Sequence, residues 1–141
     1  ITRLQNMGTP DYLISAATQM VLAQRLARRN CKECRVPDED VTPKVLTDLG
    51  FSPEQASRTK AIKGKGCAKC KDSGYKGRQG IYEILVVSKP IKEAILRQAT
   101  TPELREIAIK EGFQTMQDMG RRMIANGELS FREYERVLSA S

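Results

Sequence analysis

All four cysteines of the chain fall into two C-x-x-C pairs, Cys31/Cys34 and Cys67/Cys70, with 32 residues between the pairs. A C-x-x-C turn lets two thiolates converge on one ion, and two such turns complete a tetrahedron. The chain has 141 residues and no histidine, so no imidazole competes as a soft ligand. The same absence excludes a Ser–His or Cys–His catalytic pair, a His-bearing metal site and an imidazole switch near neutral pH. Cys31, Cys34, Cys67 and Cys70 therefore read as a tetracysteine zinc site with one ion per chain. Four protein ligands close the shell, which makes such an ion structural and not catalytic. The gap exceeds the roughly 15–20 residues of common zinc ribbons. Two predicted helices lie inside it, so the segment reads as an excursion from the metal site and not as a finger.

Other cysteine chemistry stays open at this point. Disulfides are disfavoured without a secretory signal. A redox C-x-x-C of the thioredoxin kind wants a βαβ setting, which two symmetrical pairs do not resemble. Four cysteines also suit an iron–sulfur cluster.

The net charge of +7 is uneven. Residues 1–36 carry six basic and two acidic side chains, residues 37–80 nine and six, and residues 81–141 nine of each. The last part thus reads as a balanced helical surface, with any electrostatic role in the first 80 residues. A basic balance suggests nucleic acid or anionic lipid. Four thiolates around Zn²⁺ carry −2, however, and Lys32, Arg35, Lys65, Lys69 and Lys71 flank the ligands and offset it. Only Tyr75 lies among the lysines, so the stacking platform of a single-strand binder is missing. No apolar run approaches a membrane span, and without a signal-peptide pattern the chain reads as cytosolic and as a piece of something longer.

Hydroxyl–proline steps mark helix starts at Thr9-Pro10, Thr42-Pro43, Ser52-Pro53 and Thr101-Pro102. Capping-box spacing occurs at Ser52/Gln55, Thr100/Glu103 and Ser130/Glu133. The pattern predicts helices over about 10–29, 43–49, 53–58, 89–98, 102–111, 116–125 and 131–138. In the first, Leu13, Ala17, Met20, Val21 and Leu26 form the buried stripe, and Arg25, Arg28 and Arg29 sit at the dipole's negative end. Residues 59–80 read as loop, with Gly74, Gly77 and Gly80 expected at positive φ, and 81–87 is the clearest strand. The methionines at helical spacing read as core. The fold class is α+β, mostly helical. The phosphate loop G-x-x-x-x-G-K-[ST] is absent, Lys65 being followed by Gly66.

Three stretches together resemble the secretion ATPases of type II secretion and type IV pilus assembly, the GspE/PilB family. They are Ile1 to Gly8 with Ala23 to Arg29 and Cys31-x-x-Cys34; Gly66-Cys67-x-x-Cys70 followed by Gly74-Tyr75-Lys76-Gly77-Arg78 and Gly80-Ile81-Tyr82-Glu83; and Gly112-Phe113 with Gly127-Glu128-Leu129-Ser130. The resemblance covers essentially the whole chain. It implies the C-terminal portion of such an ATPase: residues 1–30 end a RecA-like α/β core, 31–80 form a tetracysteine zinc-binding subdomain, and 81–141 add a strand and a C-terminal helical subdomain. The family's Walker A, Asp, Walker B and His boxes lie before Ile1, so no catalytic or nucleotide-binding residue is assigned, and ATP and Mg belong to the parent protein.

The implied parent is a hexameric cytoplasmic motor, peripheral to the inner membrane. It drives an inner-membrane platform protein and neither inserts in the membrane nor binds nucleic acid. Retraction ATPases of the superfamily lack the tetracysteine, which favours an assembly motor, with a lean to the pilus over type II secretion. A further alternative is a free-standing zinc-ribbon module that binds nucleic acid through the basic 58–78 stretch. In a hexamer Arg25, Arg28 or Arg29 can reach a neighbour's nucleotide, but dipole and surface roles have precedence.

Overall fold

A computed structural model describes residues 1–139. Among the described residues eight helices and four strands follow one another: α1 Thr2–Asn6, α2 Asp11–Ala17, β1 Met20–Asn30, β2 Arg35–Pro37, α3 Pro43–Asp48, α4 Pro53–Arg58, β3 Ile62–Gly64, β4 Tyr75–Val86, α5 Lys89–Leu96, α6 Thr101–Lys110, α7 Met116–Ala125 and α8 Phe131–Leu138. β1 pairs with β4, and β2 pairs antiparallel with β3 in the register Arg35↔Gly64, Val36↔Lys63, Pro37↔Ile62. The chain divides into two compact units, Ile1–Ala23 with Glu83–Thr115, and Gln24–Tyr82 with Met116–Ser141. No described helix is long and apolar enough to cross a membrane.

The expected helix over 10–29 is two elements. Only Asp11–Ala17 is helical, Thr18 leaves the helix with extended backbone, and Met20–Asn30 is a strand. Leu, Ala, Gln and Arg are good helix formers, yet pairing with β4 overrides that weak local preference. The expected stripe fails with it. Leu13, Ala17, Met20, Val21 and Leu26 are exposed, whereas Ile14, Ser15 and Ala27 are buried. Residues 59–80 are not all loop, since they contain β3 and the first half of β4. The later helices stand where the caps and periodicity put them. Thr42 and Ser52 cap α3 and α4, and Thr100 forms a full capping box with Glu103 one residue before the expected Thr101 start.

The first unit is built on an amphipathic match. Ile91, Ala94 and Ile95 of α5 are wholly buried and meet Ile14 of α2 and Leu104 and Ala108 of α6. Each buried isoleucine contributes about 1.5–3 kcal/mol. Ser15 Oγ donates to the Lys92 carbonyl at 3.2 Å, fixing α2 against α5.

In the second unit α7 and α8 bury Met116, Met123, Ile124, Tyr134, Val137 and Leu138, so two of the three methionines at helical spacing are core, and Met119 between them is half-buried. A methyl group on Gly120 would lie 2.6 Å from Leu138 Cδ1 and 2.8 Å from Tyr134 Cε2, both in buried side chains. Gly120→Ala is therefore expected to destabilise the chain. Overpacking costs about 1–3 kcal/mol, which exceeds the roughly 0.8–1 kcal/mol of helix propensity regained. A urea midpoint above that of the parent chain would contradict this packing.

Candidate metal centre

The β2–β3 ribbon brings the two C-x-x-C turns together. Lys65 N–H donates to the Cys34 carbonyl at 2.9 Å, where β3 leads into the second pair. Cys31 N–H donates to the Gly74 carbonyl at 2.9 Å, where the chain leaves the second pair for β4. Between Cys70 and Gly74 the chain turns through two left-handed residues, Lys71 at φ 55° and Asp72 at φ 61°. Gly74 follows at φ 82°, and a Cβ there would meet the Gly64 carbonyl oxygen at 2.5 Å. Only glycine allows both the backbone sign and the approach. Gly77 shares the positive φ, but Gly80 does not; a side chain there would strike the Tyr82 hydroxyl.

Cys31, Cys34, Cys67 and Cys70 thus converge, with all four sulfurs within 4.8 Å of one another. The Cys31–Cys67, Cys34–Cys70 and Cys67–Cys70 Sγ separations are 3.7, 3.8 and 3.7 Å. A tetrahedron with metal–sulfur bonds of about 2.3 Å has edges of about 3.8 Å. The separations are far from the roughly 2.05 Å of a disulfide, and all four thiols are free. Sulfurs within 4.8 Å of one another also stand too close to surround a multi-iron cluster.

Backbone donors converge on the sulfurs: Gly66 N–H on Cys34 at 3.3 Å, and Cys67 and Gly74 N–H on Cys70 at 3.2 Å each. Burial opposes ionisation of both thiols. At Cys70 the Cys67 and Gly74 amides outweigh it and bring the thiol down to about 6. At Cys34 burial prevails over the Gly66 amide, and the thiol rises to about 11. A divalent cation at the centre deprotonates a coordinating thiol outright.

Beside the cysteines, Asn30 ties the surroundings down. Its Nδ2 donates to the Ile62 and Gly127 carbonyls at 3.0 Å each, and its own N–H donates to the Glu128 carbonyl at 2.8 Å. Neither Asn30 nor this role was legible in the sequence.

The three arginines expected at a helix end lie on a strand instead. Arg25 Nη1 does reach a helix C-terminus, that of α8, donating to the Val137 carbonyl at 2.6 Å. Arg28 donates from its backbone N–H, Nε and Nη2 to the carboxylate of Glu133 at 2.6, 3.2 and 3.0 Å. Arg136 adds Nε and Nη2 at 2.7 and 2.8 Å. Glu133 is completely buried. Burial alone would raise its carboxyl, but Arg136 and Arg28 outweigh it and hold it at about 2. The Arg28 guanidinium also lies 4.2 Å over the Tyr75 ring. Glu133 and Arg136 of this cluster lie in residues 81–141, so that stretch is more than the balanced helical surface expected of it.

Glu133 was expected to complete a capping box. Ser130 Oγ does accept the Glu133 N–H at 3.1 Å, but the carboxylate turns to the two arginines and leaves the reciprocal bond unmade.

The chain is thus an α+β protein with a thiol cluster that has the spacing of a tetrathiolate metal centre. A family profile described as Type II/IV secretion system protein matches residues 1–136, and the chain belongs to that family. It is 35% identical over 133 residues to the type IV pilus assembly ATPase PilB of Myxococcus xanthus, covering 94% of this chain and 24% of that protein. The PilB of Thermus thermophilus is 42% identical over 123 residues, 85% of this chain and 13% of that protein. The type II secretion system protein HxcR of Pseudomonas aeruginosa is 34% identical over 137 residues, 97% of this chain and 25% of that protein. The chain spans a quarter or less of the length of these relatives.

Proposed function

We propose that the chain is the zinc-binding part of a hexameric traffic ATPase that powers type IV pilus assembly, and that it works as a structural and assembly module. The observation that carries the metal half is the sulfur spacing, 3.7–3.8 Å along three edges of the four-thiol cluster. Cys31, Cys34, Cys67 and Cys70 would hold one Zn²⁺. When bound, that ion supplies no reaction; it cross-links the two C-x-x-C turns and so holds the excursion of residues 35–66 to its base. The lysines at 32, 65, 69 and 71 offset the charge of the filled site.

The motor half is supported by the run of PilB relatives matched along most of the chain. A RecA-like core has support in the first unit, where Met20, Leu22, Ile84 and Val86 of the β1–β4 ribbon are exposed, Val86 to 66%. A two-stranded ribbon is marginal alone, and these apolar side chains suit a sheet that continues in a longer protein. In this reading the parent is cytoplasmic and meets its neighbouring subunits and an inner-membrane platform protein.

Two measurements test the reading. Metal analysis of reduced, unchelated protein is expected to give one zinc per chain; none would refute the metal site. The isolated chain is expected to show no ATP turnover, because it carries no phosphate loop; sustained hydrolysis by clean protein would contradict this. A type II secretion ATPase is the second reading, favoured by the match to HxcR. Deletion of the parent gene separates them: loss of surface pili supports the first, and loss of exoprotein secretion with pili intact supports the second.

A further inference from the structure

We infer that the metal centre and the C-terminal helix α8 are one mechanical unit, joined by a relay through Gly74, Tyr75 and Arg28 that lets the metal set the position of α8 and of the arginines beside it. The inference rests on the zinc reading above.

The relay starts at the ligands. Gly74 donates its N–H to Cys70 Sγ at 3.2 Å and accepts the Cys31 N–H at 2.9 Å, so one residue touches both C-x-x-C turns. With Gly74 pinned, Tyr75 has little freedom, because Ser73 Oγ accepts its N–H at 3.1 Å while the single Ser73 proton is shared between the Cys70 carbonyl at 2.7 Å and the Tyr75 carbonyl at 2.9 Å. Its side chain makes two contacts toward α8. The hydroxyl lies 3.2 Å from Ser130 Oγ, the N-cap of α8, and the ring lies under the Arg28 guanidinium at 4.2 Å. Ser130 caps α8 through the Glu133 N–H, and Arg28 holds the Glu133 carboxylate in the first turn of the same helix.

Tyr75 therefore reaches α8 along two arms that meet at one buried residue, Glu133. Arg28 is the joint. With Arg78 and Arg136 it also lines a surface pocket of about 460 Å³, so a displacement of Tyr75 shifts the Arg28 guanidinium in that pocket. Loss of the metal frees Gly74, and through it the ring on which Arg28 rests.

The test is amide hydrogen exchange on the 141-residue chain, with zinc content measured in the same samples. Chelation of the zinc is expected to speed exchange of the α8 amides by at least about tenfold, while those of α5 and α6 in the other unit keep their protection. Tyr75→Leu in the zinc-loaded chain is expected to speed α8 exchange similarly while one zinc per chain remains bound. Unchanged α8 protection after zinc removal overturns the relay and leaves the metal site standing. So does a Tyr75→Leu chain, still zinc-loaded, whose α8 exchanges as before. Equal loss of protection in α8, α5 and α6 overturns it too, since that is general unfolding. A chain that takes up no zinc sinks the metal reading and the relay's metal end together, a result distinct from the others.

Discussion

Cys67→Ser is expected to abolish zinc binding and unfold the excursion between the two C-x-x-C turns. Serine is close in size, so packing is nearly preserved and the loss is one of ligand chemistry. Three thiolates and a hydroxyl leave the ion without its closed soft shell. Little else holds residues 35–66 in place. Between the two cysteine pairs the secondary structure is two three-residue strands and two six-residue helices, with Leu46, Phe51 and Ala56 as the main apolar burial among them. Zinc-coupled folding in finger peptides has apparent energies of about 10–16 kcal/mol, well above what so small a core supplies. The variant should therefore lose its zinc, and amide exchange should show residues 35–66 open. Helices α5 and α6 have their own apolar core and should stay protected. Acid acts in the same direction, because protons compete with the metal for the thiolates. A Cys67→Ser chain with bound zinc and a protected excursion would refute this account.

Legibility in the sequence followed how locally each feature is specified. The cysteine cluster was readable because each C-x-x-C turn is local and only one partner pair existed. Helices α3, α4, α6 and α8 were readable because Thr42, Ser52, Thr100 and Ser130 cap them through a bond three residues away. β1 was not, since its Leu, Ala, Gln and Arg suit a helix and its strand character comes from β4, which begins only at Tyr75. β3 is three residues long and carries no pattern of its own. The Glu133 cluster was hidden for a related reason. The Ser130-x-x-Glu133 spacing explained the carboxylate locally, while its partner Arg28 is 105 residues away. The one available signal was the odd density of arginine in β1, which a helix end also accounted for. Family resemblance added what periodicity did not, and the match over residues 1–136 bears it out.

Glu133→Gln is expected to be the most damaging single substitution outside the cysteines. The carboxylate accepts five bonds from Arg28 and Arg136 through two oxygens and is wholly buried. A glutamine keeps the shape, but its amide nitrogen is a donor that would face guanidinium donors. Removing one partner of a buried pair costs about 3–5 kcal/mol. The low end applies here, because the Arg28 and Arg136 side chains remain 45% and 55% exposed and find water. The pH dependence has a definite sign. The carboxyl is held at about 2, below its ordinary 4.5, so the folded state favours the ionised form. That contribution is fully present above about pH 4.5 and is lost as pH falls through the folded value near 2. The parent chain should therefore lose stability across that window, and Glu133→Gln should lose less of it because the titrating group is gone. Urea unfolding of both chains from about pH 6 down to about pH 2.5 reads this directly, and parallel curves would show that another carboxylate governs acid stability. Glu133→Asp separates charge from reach. It keeps the negative charge but is one methylene shorter, so it cannot span to both arginines in the present geometry. A stability close to that of Glu133→Gln would mean that the five-bond geometry matters more than the charge.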